Sequence, residues 1–87
     1  MNTLRQAVQD YLRMRRDLGF KLREAGSSLH DFAAFMGRRH STVITSKLAL
    51  AWAQQPCNVQ PSHWARRLGF VRGFARYRSA TDPRTQI

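Results

Sequence analysis

Residues 61–78 read Pro61-Ser62-His63-Trp64-Ala65-Arg66-Arg67-Leu68-Gly69-Phe70-Val71-Arg72-Gly73-Phe74-Ala75-Arg76-Tyr77-Arg78, and this stretch decides the fold. Trp64, Leu68, Val71 and Ala75 recur at spacings of three and four, which puts them on one face of an α-helix. Arg66, Arg72 and Arg76 spread over the outer arc, together with Ala65, Gly69 and Gly73. Five arginines and no acid lie between Pro61 and Ala80. A helix with an apolar stripe on one side and unneutralised arginine on another is built to lie against a polyanion, and phosphate is the expected target. The small residues of the outer arc let another backbone come close, and either a DNA strand or a neighbouring helix of the same domain fits there. Arg67 and Arg78 fall nearer the core edge and are open to a structural role.

Pro61 is suited to the first helical position, and Pro56, Cys57 and Asn58 make the loop before it. Thr45 is a candidate N-cap for a short helix over 46–54 with Leu48, Ala51 and Trp52 facing inward. Upstream, Leu22, Ala25, Leu29, Phe32, Ala33 and Met36 share one arc of a helix over about 21–39, with Arg23, Ser27, His30, Asp31 and Arg38 opposite. Gly26 lies inside it at a cost of about 1 kcal/mol relative to Ala, which favours fraying or a start near Ser27. Gly37 to Ser41 is the expected turn out. A first helix, capped by Thr3 and ended by Gly19, carries Leu4, Val8, Tyr11, Leu12 and Leu18 on one face and Arg5, Gln9, Arg13 and Arg16 on the other. The apolar period stays near 3.6 throughout and never alternates, so the fold class is all-α, a compact four- to five-helix bundle. The domain is expected over 1–80, with 81–87 the start of a linker to an absent C-terminal domain.

Composition bounds the function. Fifteen Lys+Arg against five Asp+Glu give a formal charge of +10 on 87 residues, with a sequence pI near 11.7. Thirteen of the fifteen bases are arginine, whose planar fork bonds two phosphate or guanine acceptors at once. A GC-rich genome, which favours arginine codons, is the competing source of that bias. The chain has room for one modest core. It has no apolar run of membrane-spanning length and no signal-peptide pattern at its start, so a cytoplasmic setting is expected. Cys57 has no partner for a disulfide, no Cys/His cluster has zinc-site spacing, and no carboxylate pair is placed for acid/base work. Neither a cofactor nor a small-molecule substrate is marked. Trp52 and Trp64 are in phase with the core, which favours packing over base stacking. His30 on the polar face is either solvated or near phosphate.

Three segments carry a family resemblance: Tyr11-Leu12-Arg13-Met14-Arg15-Arg16-Asp17-Leu18-Gly19-Phe20, Ile44-Thr45-Ser46-Lys47-Leu48-Ala49-Leu50-Ala51-Trp52-Ala53, and the run from Trp64 to Tyr77. In this order and spacing they resemble the N-terminal core-binding domain of tyrosine site-specific recombinases, the phage-integrase family. The resemblance covers nearly the whole chain. It implies a SAM-like helical bundle that grips one side of a recombination half-site while a separate C-terminal domain grips the other and carries the chemistry. It also implies double-stranded DNA and other recombinase protomers as partners, with the isolated domain a monomer.

In that family the second and fourth helices lie across or in the major groove. By position this points to Lys21, Arg23, Ser27, Ser28 and His30, and to His63, Arg66, Arg67 and Arg72, with Arg76 on the same outer arc. Helix two departs from many relatives at Glu24-Ala25-Gly26. The family's catalytic set includes a His-x-x-Arg box and a tyrosine nucleophile. His63-Trp64-Ala65-Arg66 matches the box as a string, but the family's box belongs to the other domain, so the match is read as coincidence. Tyr11 and Tyr77 read as packing residues, and the fragment is expected to cut nothing. Two other classes stand beside DNA binding. In one, the domain makes protomer contacts through Phe20, Phe35, Phe70 or Met36. The other, a membrane-surface helix, conflicts with the need of the apolar faces for the core.

Overall fold

The computed structural model describes residues 4–19 and 23–86. It contains four helices, α1 (Leu4–Asp17), α2 (Arg23–Arg38), α3 (Ser46–Ala53) and α4 (Pro61–Ser79), and no strand among the described residues. The chain is all-α, as its 3.6-residue period requires. It divides into two compact units, residues 1–42 and 43–87. Thr3, Phe20, Lys21 and Leu22, each assigned a part from sequence, lie outside the described residues.

In the first unit α1 packs on α2. Leu4, Ala7, Val8, Tyr11 and Leu12 are buried at i, i+3, i+4, i+7 and i+8, as are Leu29, Phe32, Ala33 and Met36, spaced the same way on α2. Leu18 corrects the expected apolar face, since it is 68% exposed. The helix stops at Asp17, and Gly19, at φ 95°, turns the chain before Leu18 can follow the helical phase inward. Gly26 brings a second correction. The helix begins at Arg23 and runs through Gly26, which is buried. A Cβ there would come within 3.3 Å of an Arg16 guanidinium nitrogen and 3.6 Å of Leu12 Cδ1. The missing side chain admits α1, and that close approach offsets the propensity cost.

The end of α2 is a Schellman turn. Ser41 N–H donates to Met36 O and His40 N–H to Gly37 O, both at 3.0 Å. The left-handed position belongs to His40, at φ 53°, where an L side chain crowds the following carbonyl. His40→Gly is therefore expected to stabilise the chain by about 0.5–1 kcal/mol, after allowing for the larger unfolded-state entropy of glycine. A rise in the urea midpoint at unchanged slope checks this.

In the second unit α3 packs on α4. Thr45 caps α3 as its sequence indicates, its hydroxyl accepting from Leu48 N–H at 3.2 Å. The buried face is Ala49, Trp52 and Ala53. Ala51, expected inside, is exposed because it lies about half a turn from that triplet. Pro61 opens α4, whose buried residues are Val71, Phe74 and Ala75. Trp64 is half-buried, and its indole N–H donates to Pro56 O at 2.7 Å, tying the preceding loop to α4. Cys57 in that loop is exposed.

Residues 81–86, read from sequence as linker, fold back on the start of α3. Gln86 N–H donates to Ile44 O at 2.9 Å, and Gln86 Oε1 accepts from Ser46 N–H at 2.8 Å. The second bond satisfies one of the donors that every helix N-terminus leaves unpaired. Asp82 is buried and holds the turn, accepting from Arg84 N–H and Arg84 Nε–H, each at 3.0 Å. The Arg84 side-chain and backbone bonds, in that order, hold the Asp82 carboxyl below its ordinary value of 3.8. Because its folded pKa lies below the unfolded one, its contribution is fully present above the ordinary carboxylate range and is lost as pH falls through the folded value. The amide protection factor of Gln86 is expected to stay constant from pH 7 to pH 5 and to collapse in strong acid, below about pH 4. Gln86 protection left unchanged by Asp82→Ala at pH 7 would show that Asp82 does not hold the tail.

Candidate nucleic-acid interface

The outer arc of α4 carries three arginines, and the helix holds no acid. Arg66, Arg72 and Arg76 are all exposed to solvent rather than tucked beneath neighbours. Arg72 and Arg76 are one turn apart, and α4 holds no acid to pair with either. Like charges at i, i+4 repel by a few tenths of a kcal/mol, so the arrangement works against the free helix and with a bound anion. Between Arg66 and Arg72, a Cβ at Gly69 would meet nothing within 4 Å. No neighbouring helix among the described residues packs against that glycine.

The remaining candidate positions divide by element. Arg23, Ser27 and His30 are exposed on α2 at i, i+4 and i+7, with Ser28 half-buried beside them. Glu24 and Asp31 are exposed on the same helix and dilute its charge. His63 is half-buried in the first turn of α4. Lys21 lies outside the described residues.

Arg67 has a different setting. Its Cζ sits 3.8 Å from the Trp52 ring centroid, and its Nη2 donates to Trp52 O at 2.9 Å. The guanidinium stacks on a buried indole and bonds a carbonyl at the end of α3, where the helix dipole favours a cation. One arm of its fork, Nη2, is engaged within the unit. The helical wheel carries the signal for this, since Arg67 falls on the arc of Phe74 and Val71.

The aromatic residues offered as a partner surface are largely internal. Phe35 and Met36 are buried, the Phe35 ring lying under the Arg39 guanidinium at 4.9 Å, and Phe70 is half-buried. Trp52 is wholly buried, which removes it from base stacking. Among the described residues no group of His, Cys, Asp and Glu could hold a metal ion, and no helix is long and apolar enough to cross a membrane.

Comparison with known proteins gives this surface a context. Over its full 87 residues the chain is 66% identical to the Sinorhizobium fredii (strain NBRC 101917 / NGR234) protein named "Putative integrase/recombinase y4rB". The chain is similar to an integrase/recombinase. It spans 28% of that relative's length. No family model matches the chain, and no solved structure matches it.

Proposed function

We propose that the chain is a duplex-DNA-binding module of a tyrosine recombinase, forming half of a clamp around a recombination half-site. The observation that carries this reading is the acid-free outer arc of α4, with Arg66, Arg72 and Arg76 in solvent on either side of the bare backbone at Gly69. Exposed guanidinium groups bond phosphate oxygens in pairs, and a glycine lets the sugar-phosphate strand approach the helix. Arg23, Ser27, Ser28 and His30 of α2, with Lys21, supply further contacts, and His63 flanks the start of α4. Arg67 is left out of the contact set because Trp52 engages it. Similarity over all 87 residues to 28% of the length of an integrase/recombinase supports the assignment. Strand cleavage then belongs to another part of the parent protein, the other partners are protomers in a synaptic complex, and the module works in the cytoplasm where the DNA is.

Phosphate contact without base readout gives dissociation constants of about 10⁻⁴ to 10⁻⁶ M at physiological salt, so the isolated module is expected to bind weakly. Arg66→Ala and Arg72→Ala are each expected to lower affinity and to flatten the dependence of log K on log salt by about one unit. Fluorescence anisotropy with a labelled duplex, titrated at several salt concentrations, measures both. A slope unchanged in both variants would take α4 off the DNA.

A further inference from the structure

The exposed side of the first unit holds a polar cleft of ≈ 470 Å³ lined by Gln9, Leu12, Arg13, Arg16, Asp17 and His30. Leu12 is buried and forms its floor, and the other five side chains are exposed at its rim. Arg13 and Arg16 stand one turn apart on α1, and His30 comes from α2. The cleft therefore draws donors from both helices of the pair. Arg16 is seated: one of its guanidinium nitrogens lies 3.3 Å from where a Cβ on Gly26 would stand. Gly26 thus makes the space in which this guanidinium rests against the backbone of α2. A long side chain that is already positioned loses less conformational freedom when it binds.

We propose that this cleft is a phosphate-binding site on α1 and α2, with Arg16 as its positioned anchor and Arg13 and His30 closing on the same anion. Gln9 adds an amide donor at the α1 edge. Asp17 is the one carboxylate in the lining, opposed by two arginines, and it sets the affinity low. The ligand is a tetrahedral phosphate, either a diester of a nucleic-acid backbone or the free ion. The site shares His30 with the DNA contacts proposed for α2 and uses no residue of α4.

The test uses the whole 87-residue chain at low ionic strength, where exposed pairs are least screened. Inorganic phosphate is titrated while amide and arginine side-chain NMR signals are followed, and the titration is repeated with a short duplex. Phosphate is expected to move the signals of Arg13, Arg16 and His30. Arg13→Gln and Arg16→Gln are each expected to weaken phosphate binding about threefold, the size of one exposed ion pair, and Asp17→Asn to strengthen it about twofold. If the duplex moves the same signals and competes with phosphate, the backbone diester is the ligand. If only phosphate moves them, the free ion is. Arg72→Ala is expected to leave the phosphate-induced shifts of Arg13, Arg16 and His30 unchanged, so failure of the α4 surface and failure of this cleft read out separately. Signals in the cleft that stay still in both titrations, or an Asp17→Asn variant no tighter than the parent, would overturn the proposal.

Discussion

Trp52→Ala is expected to destabilise residues 43–86 by about 3–5 kcal/mol, the usual range for emptying a buried aromatic site. Trp52 is 0% exposed and is among the largest fully buried side chains in the chain. Its loss removes the central apolar body between α3 and α4. It also removes the face on which Arg67 stacks, while the Trp52 carbonyl that accepts from Arg67 stays in place. A small domain holds about 5–15 kcal/mol in total, so one substitution takes a large share of it. Urea unfolding followed by far-ultraviolet circular dichroism measures the change. Combining Trp52→Ala with Arg67→Ala isolates the stack, whose coupling is expected at about 1 kcal/mol. A loss below about 1 kcal/mol for Trp52→Ala would mean that the pocket collapses without cost, contrary to what such close packing normally allows.

Replacing Arg66, Arg72 and Arg76 together with alanine is expected to have the largest effect on DNA binding. Three lost phosphate contacts flatten the salt slope by about 2.7 units, and at roughly 0.15 M salt that amounts to a drop of about 10²-fold in affinity. Stability is expected to move the other way. All three side chains are exposed; alanine is the best helix former, and the Arg72–Arg76 repulsion disappears, so the helix gains a few tenths of a kcal/mol. Opposite signs in the two measurements separate a binding surface from a structural one. A triple variant that binds the duplex as tightly as the parent would remove α4 from the interface altogether.

Much of this architecture was legible because it is local. Thr45 announces its cap by an oxygen three residues before Leu48, Pro61 announces a helix start, and Gly19 a helix end. The periodicity of Leu29, Phe32, Ala33 and Met36 leaves little choice of face. Leu18 and Ala51 were misplaced where helices are short or end, since one residue of phase decides inside from outside.

Other features are matters of tertiary geometry. The clip from Gln86 to Ser46 joins residues 40 apart in sequence, and no spacing rule reports it. Gly26 reads as a defect until Arg16 and Leu12 are seen against it. The α1 half of the polar cleft was visible only as a row of exposed arginines, because the sequence does not state that His30 stands across from them. The character of Arg67 was half-legible, since the wheel put it near the core, but only the structure supplies the indole it covers.

With Gln86 hydrogen-bonded to both Ile44 and Ser46, the segment between them closes on itself like a ring. A ring has no privileged starting point: opened within the exposed stretch Cys57–Gln60 and spliced where its ends already touch, the same helices would follow in reversed order with their partners unchanged. The order in which α3 and α4 are synthesised is thus not dictated by how they pack.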